Sequence, residues 1–344
     1  MMTMKNSLSF FRIPRADYAH HPAYGTLFGK PSFILRMKAL KRFLPEFFHQ
    51  VRLAIQEKRR PIHSLTASTQ DAKHFPLFSM LVNDGIAALR LDDQEMAHIR
   101  QGAEPYVQLL QKHKYSIVPE KRVFKDKVLL IRPSKAAQFY KYLSDVLERH
   151  NVISTLSYYR GIPLTMSHIY IHISDPDDLD WRHRFTDIGL SDPKSVYMHF
   201  DSSIQRMKCL LYLTQVTLDN GPFCHVQGSN RIRTGFLEYV TRKANDQAHL
   251  DGCDPETRQY FSALPKIFQH KSEFGNDLLD MDFETRAMLE RERQFTTDNG
   301  NLILFDTDSL HRGGMLKEGR RIMLQIQFER QSRKIFDSSN KGMI

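Results

Sequence analysis

Residues Arg321 to Phe328 alternate with a period of two. Ile322, Leu324, Ile326 and Phe328 share one face, and Arg321, Met323, Gln325 and Gln327 share the other. This is the pattern of a strand with its apolar face on a core and its polar face toward a wetter interior, and a slip of one residue would bury the glutamines. Further strand-like runs are "HIYIHIS" at 168–174, "VYMHFDS" at 196–202, "MKCLLYLTQV" at 207–216 and "NLILFD" at 301–306. Long connections and the lack of strand–helix alternation argue for antiparallel sheets packed as a sandwich rather than a parallel sheet.

Helical patterning flanks these strands. Asp84-Gly85 reads as a turn, Ile86 to Leu91 as a strand, and Asp92 or Asp93 as the cap of a following helix with Glu95 in its first turn; a second helix fits 134–150. Residues 33–60 mix large apolar residues with Arg36, Lys38, Lys41, Arg42, Arg52, Lys58, Arg59 and Arg60, and Pro45 is expected to divide them into two helices. Such a basic amphipathic segment caps a domain or lies on a membrane surface. The charged stretch 235–297 is too long for a simple strand connection and reads as a helical insertion, of the kind that forms lids. The expected organisation is a basic helical extension over 1–77, a strand-rich domain over 78–330 with the insertion at 235–297, and a tail over 331–344.

Composition narrows the class. With 344 residues, 41% of them hydrophobic, the chain has ample core, and no apolar run reaches the ~20 residues of a membrane helix. The first fifteen residues lack the apolar centre of a signal peptide, so a cytoplasmic location is expected, with peripheral membrane attachment through 33–60 as a further expectation. Cys209, Cys224 and Cys253 are an odd number without paired spacing and are expected to be reduced. The net charge of +10 favours an anionic partner, but there is neither zinc-finger spacing nor interleaved aromatic and basic residues, which argues against nucleic acid.

Within "VYMHFDS", His199 and Asp201 stand two apart and leave the same face of a strand. A structural His–Asp hydrogen bond, a solvated polar face and a pair of metal ligands all fit that spacing. A third ligand candidate, His311, follows a buried strand and precedes Gly313-Gly314, and the last strand opens with Arg320-Arg321. Two histidines and one carboxylate are the minimal facial triad for iron(II), leaving the opposite coordination positions open. A double-stranded β-helix brings an early and a late strand together at one open end, which is where such a triad needs them. An arginine on the last strand points into the same barrel, where its fixed fork can hold a remote carboxylate.

The segments "LVNDGIAALRLDDQEM", "MHFD", "KCLLYLTQVTLDNGPFCHVQGSNR" and "GNLILFDTDSLHRGG" followed by "GRR" occur in that order between about Phe78 and Phe328. In this combination the chain resembles the phytanoyl-CoA dioxygenase family of iron(II)- and 2-oxoglutarate-dependent oxygenases. The resemblance implies a mainly β fold with flanking helices, a double-stranded β-helix (jelly-roll or cupin-like barrel) with N-terminal helices and a helical insertion. It implies iron(II), 2-oxoglutarate and O2 as cofactor and cosubstrates, His199, Asp201 and His311 as iron ligands, and Arg321 as the partner of the distal 2-oxoglutarate carboxylate, with Arg320 as the alternative. It also implies decarboxylation of 2-oxoglutarate to succinate coupled to substrate hydroxylation. Related halogenases replace the carboxylate ligand with a small residue, whereas this chain retains Asp201.

Two positions depart from the family pattern. Gln227-Gly228-Ser229-Asn230 stands in place of Pro-Gly-Ser-His, in a turn read as mainly structural, and Gly313 replaces a polar residue two positions beyond the distal histidine. His168, Tyr170 and His172 share a strand face, and Lys208 and Tyr212 share another with Leu210; each reads as packing or as a pocket contact. His225, His183 and Trp181 stand outside any constellation. The substrate is expected to be a small anionic molecule, phosphorylated, nucleotide-linked or glycolipid. A non-catalytic ligand-binding barrel and a cupin-type metalloenzyme independent of 2-oxoglutarate are the alternatives.

Overall fold

The alternation of the last strand organises two layers. In the computed structural model, which describes residues 30–59, 76–112, 127–176, 198–199, 201, 207–231, 236–249, 255–270, 287 and 289–330, that strand is β9 (Arg321–Arg330). Its Leu324, Ile326 and Phe328 are buried in the larger core cluster, against helices. Met323 on the opposite face packs with Leu210, Tyr212, Phe223 and Phe305 inside the barrel. A sheet apolar toward helices and mixed toward an enclosed interior explains why both faces of one strand are covered.

The large sheet has the order β1-β7-β4-β9-β3-β2, with β1 Ile86–Leu89, β2 Lys127–Ile131, β3 Leu164–Ser174, β4 Met207–Tyr212 and β7 Leu302–Asp306. A second sheet has the order β6-β5-β8, with β5 Phe223–Val226, β6 Glu292–Phe295 and β8 His311–Gly313, and His199 adds an antiparallel bridge to His311 on its edge. The ladders are antiparallel throughout. Counting β3, the His199 segment, β4, β5, β6, β7, β8 and β9 in chain order, the pairings are 1-8-3-6 and 2-7-4-5. This is the strand order of a double-stranded β-helix, closed as two sheets whose inner faces meet.

Helices α2 (Pro76–Asp84), α3 (Asp93–Lys112), α4 (Ala137–Arg149) and α5 (Val152–Arg160) cover the outer face of the large sheet. Asp92 caps α3 by accepting a hydrogen bond from the Glu95 amide at 2.7 Å. Glu95 itself turns to α4, meeting Arg149 and His150 at 2.9 Å each. After β5 the chain leaves the barrel as α6 (Phe236–Ala248) and α7 (Pro255–Ala263), then returns as β6.

The structure corrects two expectations. Residues 33–59 form one helix, α1 (Phe33–Arg59), with Pro45 inside it. Proline removes one backbone hydrogen bond at a cost of about 3 kcal/mol. Tertiary packing on both sides offsets this: Phe43 and Phe47 lie 5.1 and 5.7 Å from Phe268, and Arg42 sits 5.3 Å over Tyr260. The helical insertion ends before residue 292, because "ERQF" is strand β6, where Glu292 is paired with Arg312 at 2.7 Å. After Gly221-Pro222 the chain forms β5 at the centre of the small sheet, and Gln227-Gly228-Ser229-Asn230 follows it as the expected turn, with Gly228 at φ +74. Cys209 and Cys224 are free and buried, while Cys253 lies outside the described residues.

Gly300, at the entry to β7, has φ +143, and a Cβ there would lie 2.6 Å from the Leu89 carbonyl oxygen on the neighbouring strand. Gly161, ending α5, also has positive φ but nothing within 4 Å. Gly300→Ala is expected to lose about 2 kcal/mol or more by strain and backbone collision, against about 1 kcal/mol for Gly161→Ala. Denaturant unfolding of both variants checks this, and equal losses would contradict the crowding at Gly300.

Candidate metal centre

Two backbone hydrogen bonds bring the candidate ligands together. The His199 amide donates to the His311 carbonyl at 2.9 Å, and the His311 amide donates to the His199 carbonyl at 3.0 Å. Directly opposed residues of an antiparallel pair send their side chains to the same face, and the two imidazoles stand 4.4 Å apart, centre to centre. Asp201 arrives by the same mechanism two residues on, its amide donating to the Thr307 carbonyl at 2.9 Å. Both histidine Nε2 atoms lie 3.7 Å from Asp201 Oδ1. One donor atom from each of the three residues lies within 4.8 Å of the others.

The protonation states suit a metal. His311 Nδ1 is 2.8 Å from the Ser309 carbonyl, an acceptor only, so Nδ1 carries the hydrogen and Nε2 presents its lone pair to Asp201. Burial, reinforced by the neighbouring His199, holds the His311 pKa well below the ordinary histidine value and keeps the ring neutral. Burial alone would raise the Asp201 pKa, but Lys208, His311 and His199 outweigh it and hold the carboxyl below the usual carboxylate range. Lys208 Nζ lies 2.6 Å from Oδ2, a close ion pair rather than an aligned hydrogen bond, which leaves Oδ1 for the histidine side.

A chain of charges holds this centre from behind. Tyr159 on α5 donates to Asp306 Oδ2 at 2.5 Å; Arg160 lies 3.3 Å from both Asp306 and Asp308. Lys243 of α6 lies 3.5 Å from Asp308 and donates a hydrogen bond to the Asp201 carbonyl. Lys243 is among the largest fully buried side chains. Nothing in its local sequence marks it, because its partners are distant in sequence and meet it only after the insertion folds back.

Arg321 and Arg320 take opposite sides of β9. Arg320 is largely exposed and forms an ion pair with Asp175 at 2.6 Å. Arg321, 5% exposed, faces the barrel interior and donates to the Ser174 hydroxyl at 3.0 Å and to the Gly221 carbonyl. Both partners are neutral, its Nε is buried without a hydrogen-bond partner, and it has no carboxylate partner among the described residues. A buried guanidinium without a counter-charge is costly unless an anion joins it. A Cβ at Gly313 would lie 3.6 Å from its Nη2, so the glycine leaves room beside the fork.

The remaining candidates divide. His168, Tyr170, His172 and Ser174 lie opposite Gln327, Gln325, Met323 and Arg321, and together form a polar interior wall. Tyr212 is occupied structurally: its hydroxyl accepts from the Phe223 amide and donates to the Phe295 carbonyl, both at 2.8 Å, tying the two sheets together. His225 faces His311 across β5 and β8; burial pushes its pKa down to about 3, and neither ring nitrogen has a partner among the described residues. Asn230, in the position where the resemblance leads one to expect histidine, donates to the Leu81 carbonyl and the Tyr159 hydroxyl at 3.1 and 3.0 Å, so it ties α2 and α5 to the barrel. His183 and Trp181 lie outside the described residues.

Comparison with protein families and with curated proteins finds no match. Solved structures with partial similarity include EctD from S. alaskensis with 2-oxoglutarate and 5-hydroxyectoine, at 13% identity and TM-score 0.45 over 78% of this chain and 80% of that one. HygX from Streptomyces hygroscopicus, with nickel and 2-oxoglutarate bound, has 15% identity and TM-score 0.41 over 76% and 87% of the two chains. The non-heme alpha ketoglutarate dependent carbocyclase SnoK from nogalamycin biosynthesis has 11% identity and TM-score 0.41 over 77% and 85%. At identities and TM-scores this low, the chemistry has to be read from this chain's own side chains.

Proposed function

We propose that the protein is an iron(II)- and 2-oxoglutarate-dependent dioxygenase of the phytanoyl-CoA dioxygenase type, which hydroxylates an aliphatic C–H bond of a small anionic molecule. The observation that carries this reading is the convergence of His199, Asp201 and His311 in a barrel whose interior also holds Arg321, which has no counter-charge among the described residues. Two imidazole nitrogens and one carboxylate oxygen are the donor types that suit iron(II) in a facial arrangement. When bound, iron(II) with 2-oxoglutarate and O2 supplies the oxidising chemistry, with succinate and carbon dioxide as coproducts.

The chain's own residues bind and orient. His311 is held as the Nδ1–H tautomer by Ser309 and offers Nε2. Lys208 holds one carboxylate oxygen of Asp201 and leaves the other for the metal. Lys243 and Thr307 fix the Asp201 backbone from opposite sides. Arg321 supplies a buried fork for the distal carboxylate of 2-oxoglutarate, and such a charge-assisted, bidentate contact also sets the cosubstrate's direction. The polar wall of His168, Tyr170 and His172, together with the basic charge of the chain, supports a polar, anionic substrate. Retention of Asp201 supports hydroxylation over halogenation.

Without oxygen, iron(II) and 2-oxoglutarate added together are expected to give a weak visible absorption band that neither gives alone. Asp201→Ala is expected to lose the band, stoichiometric iron and succinate formation. A wild-type protein that binds iron(II) but not 2-oxoglutarate would overturn the proposal.

Arg321→Ala is expected to raise the 2-oxoglutarate concentration required for half-maximal binding at least tenfold. Loss of a charged hydrogen-bonded anchor costs more than about 1.4 kcal/mol. Arg321→Lys should recover part of the loss, and Arg320→Ala should leave binding near wild type. Titration of the anaerobic iron(II) protein measures all three, and the reverse ranking of the two alanine variants would assign the anchor to Arg320.

A further inference from the structure

Helix α1 presents an apolar stripe to solvent. Ala39, Phe43, Gln50 and Ala54 form its buried side, while Phe33, Ile34, Met37, Phe48 and Ile55 are exposed, Phe33 at 77% and Phe48 at 65%. Phe33, Met37, Phe48 and Ile55 stand at i, i+4, i+15 and i+22, which at about 3.6 residues per turn places them along one line of the helix. No other helix among the described residues carries as many exposed large apolar side chains. Lys38, Lys41 and Arg52 lie next to this line on the outward half of the helix, and all three are exposed. Over Phe33–Ile55 the charged residues are Arg36, Lys38, Lys41, Arg42 and Arg52 against Glu46, a net of 5 − 1 = +4.

The helix is well seated on its other side. Phe43 and Phe47 pack on Phe268, and Arg42 covers Tyr260, so the stripe is held outward by contacts of its own helix. Phe43 is therefore unavailable to an external partner, and Arg42 has a structural role. No helix among the described residues is long and apolar enough to cross a membrane.

We propose that the outward face of α1 docks on an anionic lipid bilayer, with Phe33, Met37, Phe48 and Ile55 entering the interface and Lys38, Lys41 and Arg52 meeting headgroup phosphates. An apolar line flanked by basic side chains is the pattern of a helix lying in the plane of a membrane surface. The charge complementarity selects an acidic surface over a neutral one, since each basic side chain near such a surface strengthens binding about fivefold. This inference does not depend on the barrel holding iron.

Sedimentation of the full chain with vesicles of phosphatidylcholine and phosphatidylglycerol tests it, with pure phosphatidylcholine as the control. Binding to the mixed vesicles is expected at low salt, with a fall as salt screens the charges. The triple variant Lys38→Glu, Lys41→Glu, Arg52→Glu should weaken it by about a hundredfold. Phe33→Ser with Met37→Ser should weaken it at constant salt while leaving the thermal midpoint unchanged, because both side chains face solvent. No binding to the mixed vesicles, equal binding to pure phosphatidylcholine, or an unaffected triple variant would each overturn the proposal. A fall in the thermal midpoint of the serine variant would assign the stripe to another part of this chain, and loss of a dimer in that variant would assign it to a second copy; either result overturns it as well.

Discussion

The centre depends on the mutual pair of backbone hydrogen bonds between His199 and His311. These residues are distant in sequence, and no local preference of either segment would bring their rings together. The barrel's small sheet does so by placing β8 between β5 and the segment carrying His199, so that ligand spacing is inherited from strand spacing. The side chains then need only small adjustments, which Ser309 and Lys208 supply through one imidazole nitrogen and one carboxylate oxygen. Precision in the site is thus a property of the sheet more than of the loops around it.

Buried charge has a different role in the layer behind. Tyr159, Asp306, Arg160, Asp308 and Lys243 form a relay of contacts from an N-terminal helix through the end of β7 to the inserted helix. Taking these groups out of water is costly, and their attraction repays that cost only in good geometry. What the relay secures is orientation: α5, β7 and α6 have to agree in position for the charges to be matched. Asp201, whose carbonyl accepts from Lys243, is held at the end of that agreement.

Much of this was legible in the sequence where the signal is local. The period-two alternation of β9 separated the helix-facing Ile322, Leu324, Ile326 and Phe328 from the interior-facing Arg321, Met323, Gln325 and Gln327, and the structure has that arrangement. Asp92 as a cap and Asp84-Gly85 as a turn were readable for the same reason. Strand β6 was not, since Glu292, Arg293 and Gln294 carry no alternation and become a strand only by pairing with β5. The continuity of α1 through Pro45 was hidden because packing on Phe268, distant in sequence, overrides a local preference. Lys208 was visible as a residue on a strand face, but its approach to Asp201 requires two segments to meet. Lys243 carried no signal.

The inserted segment has its two ends clasped. Val226 pairs with Glu292 in the β5–β6 ladder, and the Gln227 amide donates to the Arg291 carbonyl at 3.2 Å, so topologically β5 and β6 are a hairpin whose loop happens to hold two helices. For a loop with tethered ends, doubling the length costs only about 0.6 kcal/mol in closure entropy. The stem therefore acts as a socket: evolution can lengthen, shorten or exchange what is plugged into it while the ladders beneath keep their register. Because α1 rests mainly on the plug, such an exchange would redesign the roof of the molecule and its outward face in one step, and of the support beneath Asp201 it would carry off only what Lys243 provides.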